Sequence, residues 1–315
     1  MPAPSPPSLP LIRLRLTFRA HEALRLPAYT GSAWRGAFGH ALKRLVCVTH
    51  EATCPSCLLY RSCTYPYLFE TPPDPGVGKL TRYTAAPHPF VLAPIGEGGA
   101  LPAGAPLLLD VQLFSRGQRD LPYVIHALNQ AGQRGLGTDR GVLQLLDVAQ
   151  QTDNGHWQTI YSPGGMLTPL PSIVPMPPPL PKWIKVRLLT PLRLSHENRL
   201  VSQDRFRFAL LFSSLLRRIS LLMAFHTDSP LETDFAALTQ AAQGVEWRRA
   251  RLRWQDWTRF SSRQDALIQM GGLVGELELD CTGLEPFWPY LWLGQWTHTG
   301  KGAVMGLGRY QIELP

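Results

Sequence analysis

The sequence predicts an α+β protein of two domains, each with the element order β-α-β-β-α-β. Three observations carry this. The chain has 315 residues, enough for about two domains at roughly 150 residues each. Pro169, Pro171, Pro175, Pro177, Pro178, Pro179 and Pro181 crowd one stretch, which predicts a stiff extended linker. Each half also repeats one succession of periodicities and ends in a glycine-rich loop that feeds a last strand. The expected organisation is a first domain over 1–161, a linker over 162–182 and a second domain over 183–315. The proline-rich residues 1–10 are expected to form a loose arm.

The elements follow in order. Ile12, Leu14, Leu16 and Phe18 alternate with Arg13, Arg15 and Thr17, the period of two of a strand with one buried face. Over Ser32–Val46, Trp34, Phe38, Ala41, Leu42 and Leu45 recur at helical spacing. A strand over Leu107–Phe114 precedes a helix over Leu121–Ala131, with a proline in its first turn. The loop Gly135–Gly141 then feeds a strand over Val142–Val148. The second half opens with Trp183–Leu188, where Ile184, Val186 and Leu188 alternate with Lys185 and Arg187. A densely apolar helix over Gln203–Phe225 is expected to be deeply buried. The run Trp247–Trp254 alternates arginine with apolar residues and reads equally as a solvated strand or as an RNA contact. A strand over Leu273–Cys281, a helix over Pro286–Trp296, the loop Gly300–Gly308 and a strand over Arg309–Leu314 complete the repeat. The order describes tandem ferredoxin-like (RRM-like) domains with helices on one sheet face, the other being free for a partner. Single-stranded RNA is often bound on such a sheet. Both first strands carry basic side chains on that outer face.

Composition narrows the function. Apolar residues at 44% and charged residues at 17% describe a folded chain. No charge-free apolar run reaches about 18 residues, and the N-terminus lacks a basic stretch followed by an apolar core, so neither a membrane span nor a signal peptide is expected. A cytoplasmic protein is the expectation. The net charge is +8, and 26 of the 31 basic residues are arginine, whose planar fork suits phosphate and base edges. A polyanion, most often nucleic acid, is the implied partner. A GC-rich genome, which inflates Arg, Ala, Gly and Pro together, is the competing explanation, and 30 prolines in 315 residues fit it. No G-x-x-x-x-G-K-[ST] motif is present, which removes the P-loop nucleotide-binding class.

Four stretches carry a resemblance to a known family: Gly31-Ser-Ala-Trp-Arg-Gly-Ala-Phe-Gly39, Gly135–Gly141, Trp257–Asp265 leading into Gly271-Gly272, and Gly300–Tyr310. With them the chain resembles a CRISPR repeat-RNA processing endoribonuclease of the RAMP superfamily. The resemblance implies cleavage within CRISPR repeat RNA without a catalytic metal, and other CRISPR effector-complex subunits as partners. A non-catalytic subunit that only binds the repeat or guide is the alternative. A redox protein built around a Cys-ligated cluster is a third reading.

The residues suggest how the chemistry would run. RNA is cut by its own 2′-hydroxyl when an enzyme orients the attack, moves protons and stabilises the phosphorane. His40 is the best placed of nine histidines, with Gly36 and Arg44 one turn to either side and Lys43 three residues on. His21, His50 and His298 are weaker candidates. The resemblance adds Tyr29 and Lys43 as catalytic partners. Expected RNA contacts are Arg35, Arg44, Arg134, Arg140, Arg259, Arg263, Gly300, Lys301, Gly302, Gly306, Gly308 and Arg309. Glycine would let the backbone approach the ligand at these loops. Trp254 and Trp257 offer stacking surfaces.

Cys47, Cys54, Cys57 and Cys63 form C-x6-C-x2-C-x5-C, an insertion over 47–63 in the first domain; Cys281 is remote. Four such thiols suggest structural zinc, with an iron–sulfur cluster or free structural thiols as alternatives.

Overall fold

The computed structural model describes residues 6–72, 86–96, 98–137, 139–261 and 266–315. The chain divides into two compact units, Pro10–Ile173 with Phe225–Thr227, and Val174–Ala224 with Asp228–Pro315 and the N-terminal residues up to Leu9.

The first unit runs β1 (Leu11–Ala20), β2 (Leu24–Leu26), α1 (Gly31–Val46), β3 (Phe90–Ile95), β4 (Gly99–Leu101), β5 (Pro106–Phe114), α2 (Leu121–Gln133), β6 (Leu143–Gln151) and β7 (Trp157–Tyr161). Its antiparallel sheet has the order β3-β5-β1-β6-β7. Without β7 this is the ferredoxin-like arrangement, the first strand lying between the last two of the repeat. β2 and β4 pair separately. The alternation in β1 sends Leu14, Leu16 and Phe18 toward Trp34 and Phe38 of α1 and Val124 and Leu128 of α2, all fully buried. The Phe18 and Trp34 rings stand 4.9 Å apart. Each such side chain contributes roughly 1.5–3 kcal/mol by burial.

The opposite face differs from the expectation of a free basic platform. Arg13 and Arg15 of β1 both bind Asp110 of β5, at 2.7 and 2.8 Å, and Asp110 is fully buried. Register places Arg15 directly opposite Asp110. Both guanidinium groups also lie over the Trp157 ring, at 5.1 and 4.3 Å. The basic side chains here are internal partners.

The second unit runs β8 (Trp183–Leu192), β9 (Ser195–His196), β10 (Arg199–Leu200), α3 (Phe208–His226), α4 (Phe235–Ala241), β11 (Arg249–Gln255), β12 (Thr258–Ser261), β13 (Ala266–Gln269), β14 (Gly272–Asp280), α5 (Trp288–Thr297) and β15 (Tyr310–Glu313). Its main sheet, β11-β14-β8-β15, repeats the same order. Leu211, Phe212, Leu215 and Ile219 of α3 pack with Phe287 and Leu291 as its core. α3 starts five residues later than expected, because Gln203–Arg207 is spent on turns closed by bonds such as Arg205 N–H to Ser202 O at 3.2 Å. By length and composition α3 is a helix that could cross a membrane, contrary to the expectation of none; it carries Arg217 and Arg218 and buries half its apolar stretch in the unit. On the outer sheet face Lys185 and Arg187 pair with Glu276 and Glu313. The run expected as strand or RNA contact is the edge strand β11.

The unit boundary falls at 173/174, inside the expected linker. That segment is anchored at both ends. The Gln150 amide donates to the carbonyls of Leu170 and Pro171, and Ile173 pairs with Leu11. The Trp288 indole donates to Pro178 O at 2.7 Å. Nor are residues 6–9 a loose arm: Pro7 and Leu9 are buried.

Candidate active site

α1 is held by its apolar stripe rather than by its cap. Thr30 at the N-cap makes no side-chain cap bond, whereas Lys43 and Arg44 in the last turn suit the negative end of the helix dipole. Burial of Trp34, Phe38, Ala41 and Leu42 leaves Gly36, His40 and Arg44 exposed at successive turns. A Cβ at Gly36 would meet nothing within 4 Å, so the stripe is open to a bulky ligand. Gly39 serves the other side: a Cβ there would stand 2.9 Å from Phe69 Cε1. Lys43 is half-buried, its ammonium 5.7 Å from the Tyr65 ring.

The expected catalytic set is brought together in part. His40, Lys43 and Arg44 share one end of α1. Tyr29 precedes the helix, and at 1.5 Å per residue His40 lies about 14 Å along the axis from the helix start. Arg35 is engaged inside the unit: its NH2 stands 3.1 Å from His88 Nε2 and its guanidinium 5.4 Å from the Phe69 ring. His88 Nδ1 in turn meets Thr71 Oγ1 at 3.1 Å. Sequence reasoning missed His88, which sits in an irregular segment with no periodicity. His21 and His50 are exposed and off the α1 stripe.

His298, a weaker catalytic candidate from the sequence, is closed off from any substrate. Its side chain is fully buried, and neither ring nitrogen meets a partner at hydrogen-bonding geometry. Burial, then Arg309 and Arg218, hold its pKa well below the ordinary value of 6.5.

Both glycine-rich loops spend their glycines on themselves. At Gly135, φ is +87°, and a Cβ would fall 1.9 Å from the Arg140 carbonyl oxygen. At Gly308, φ is +62°, and a Cβ would fall 1.8 Å from Thr299 O. Gly300 and Gly302 are likewise crowded by their own unit, and Gly306 is buried. At these positions the close neighbours and positive φ require glycine for the path of the loop itself. Arg134, Arg140 and Lys301 are the exposed basic residues at the loops, with Arg309 half-buried and the acidic Asp139 exposed beside Arg140. Arg259 falls in β12, and Arg263 lies outside the described residues.

β11 exposes Arg251, Arg253 and Trp254, whose indole donates to Asp256 at 2.7 Å. A cavity of about 360 Å³ in the second unit is lined by His196, Arg199, Arg205 and Arg207. It is a basic pocket formed by the β9–β10 hairpin and the start of α3. Hairpin and pocket gave no signal in the sequence.

Cys47, Cys54, Cys57 and Cys63 line one small cavity, while Cys281 is buried elsewhere. Burial and then the Glu70 carboxylate push the Cys54 thiol up to about 11. Among the described residues, no three or more His, Cys, Asp or Glu side chains are arranged to hold a metal ion.

Residues 9–172 match the AF_1859 N-terminal domain family, and residues 186–310 match the family described as CRISPR-associated endoribonuclease Cas6. An uncharacterized protein of Archaeoglobus fulgidus is 26% identical over 190 residues, 59% of this chain; the match spans 62% of that relative's length. A solved Cas6 product complex superposes at a TM-score of 0.59 and 17% identity, over 98% of this chain and all of that one. Thermus thermophilus Cas6 gives 0.56 and 16%, over 97% and 99%. A partial Cas6-RT-Cas1–Cas2 complex gives 0.61 and 14%, over 98% of this chain and 47% of that one. At these identities the solved structures establish a shared fold. The chain is a Cas6-type CRISPR-associated protein, its N-terminal half belonging to the AF_1859 N-terminal domain family and its C-terminal half to the Cas6 endoribonuclease family.

Proposed function

We propose that this protein binds CRISPR repeat RNA and cuts it once per repeat. The observation that carries the proposal is the open Gly36–His40–Arg44 stripe with Lys43 beside it, on the first helix of a Cas6-type chain. In the proposed step the 2′-hydroxyl attacks the adjacent phosphorus and the O5′–P bond breaks. The products are a 2′,3′-cyclic phosphate and a 5′-hydroxyl. One proton leaves the 2′-oxygen and one reaches O5′, so an imidazole near neutrality suits either transfer. His40 takes one of them. Tyr29, at the far end of α1, serves from the other side of the scissile phosphate. Lys43 and Arg44 stabilise the dianionic phosphorane. The nucleophile belongs to the substrate, so the reaction needs no metal-bound water.

Arg44, Arg134, Arg140, Lys301 and Arg309 are proposed to hold the RNA backbone, with Arg259 and Arg263 as further contacts. Trp254 supplies a stacking surface for bases. Association with other CRISPR proteins belongs to the same proposal; the similarity to a Cas6-RT-Cas1–Cas2 complex supports it.

The test is single-turnover cleavage of the genome's own repeat RNA, with EDTA added at the start. One cut ending in a cyclic phosphate is expected, and a 2′-deoxy nucleotide at that position should abolish it. His40→Ala should slow cleavage by roughly 10²–10⁴-fold with binding unchanged. Parental rates in His40→Ala would remove the residue from the chemistry. RNA that binds tightly and stays whole would make the protein a non-catalytic binding subunit.

A further inference from the structure

We propose that Cys47, Cys54, Cys57 and Cys63 close on a single zinc ion that ties the end of α1 to the turn packed against it. The proposal is independent of the RNA chemistry above.

The first argument is the absence of any other core. Within residues 43–65 not one side chain is buried, and Val48 and Leu58 are 72% and 87% exposed. The segment nevertheless holds a defined path, with turns closed by Cys57 N–H to Cys54 O at 3.0 Å and Cys63 N–H to Leu59 O at 2.8 Å. Small proteins without an apolar core are commonly held by a cross-link or a metal, and this segment has no apolar core of its own. No disulfide supplies one: all four cysteines are free.

The second argument is placement. Cys47 caps the C-terminus of α1, and the other three thiols line the same cavity of about 20 Å³. That volume admits about one ion or water. Cys57 Sγ receives the Leu59 N–H at 3.4 Å and lies 3.2 Å from Thr49 Oγ1. Such contacts support a ligating thiolate from outside its coordination shell.

The thiols share a cavity without yet sharing a coordination geometry. Zinc would draw them to about 2.3 Å from the metal, releasing up to four protons, in a segment with no packed core to resist the movement. The consequence reaches the candidate active helix. The segment leads into Pro66–Glu70, from which Phe69 packs against Phe38 at 5.2 Å and fills the space at Gly39, beside His40.

The test is elemental analysis of the full chain purified without chelator, with thiol titration on the same sample. About one zinc per chain is expected, with the four cluster thiols protected and zinc released in step with their modification. Cys54→Ser with Cys57→Ser should lose the metal. Protein lacking zinc, or carrying iron with visible absorbance, would overturn the proposal. So would zinc retained in the double variant, or cluster thiols that react freely in the zinc-bound parent. The titration on the parent chain decides the question even if the variant does not fold.

Discussion

Asp110→Ala tests whether the basic residues of the first sheet are structural. The carboxylate accepts three hydrogen bonds, from Arg13 NH2 at 2.7 Å and from Arg15 Nε and NH2 at 2.8 and 3.1 Å. It is fully buried, whereas the Arg13 and Arg15 side chains are 18% and 29% exposed. Removing one partner of a buried pair costs about 3–5 kcal/mol because the other charge is stranded. Here water reaches part of each guanidinium, and stacking on Trp157 retains about 0.5–1 kcal/mol apiece. The expected loss is therefore about 2–3 kcal/mol. At roughly 2–4 °C per kcal/mol for a unit of this size, the first unit should melt about 4–12 °C lower. The assay is thermal unfolding followed by near-UV circular dichroism. Replacing the triad together, by Arg13→Met, Arg15→Met and Asp110→Leu, should recover most of the loss, because no charge is left without a partner. A parental melting temperature for Asp110→Ala would refute the reasoning. RNA binding supplies a second check: Arg13→Ala with Arg15→Ala should leave the salt dependence of affinity unchanged, and a shallower slope would return this face to the RNA surface.

His40 is exposed, so His40→Ala should change unfolding free energy by less than about 0.5 kcal/mol, measured in urea. Arg44→Ala with Lys301→Ala should flatten the slope of log affinity against log salt by about 1.4 if each residue meets one phosphate of single-stranded RNA. A salt-titrated binding series reads this directly. His298 is held neutral by the fold, so the unfolded chain binds more protons below its ordinary pKa of 6.5. The stabilisation is present above that value and is lost as pH falls, at up to about 1.4 kcal/mol per pH unit. Urea midpoints between pH 7.5 and 5 should fall accordingly, and His298→Asn should remove that pH dependence. Gly308→Ala forces a Cβ against Thr299 O at positive φ. It should destabilise the second unit on the order of 2–4 kcal/mol by calorimetry.

Periodicity alone revealed the repeated order of elements, because alternation and helical spacing are local records of which side of an element is buried. β1, α1, α2 and β8 follow that record to within a few residues. β3 escaped it: Phe90, Val91, Leu92 and Ala93 are all buried, so the strand has no alternation to read. The α1 stripe was legible for the same reason that His40 is exposed on it: the buried side chains of Trp34, Phe38, Ala41 and Leu42 dictate which side faces out. The cysteines were legible as a group, since their spacing is short and their chemistry specific.

What the tertiary structure decided concerns partners distant in sequence. Nothing near Arg13 or Arg15 announces Asp110, which reaches them only through the β1–β5 register. The outer strand faces therefore looked available when their charges were already matched within each unit. Nothing near Arg35 announces His88, and composition cannot separate a glycine that admits a ligand from one that admits its own neighbouring carbonyl. The element order and the residues of the candidate helix were readable from local pattern. Only the tertiary structure decided which charges and glycines are already used, because an ion pair or a close backbone approach is set by where distant strands and loops meet, and local pattern carries no record of that.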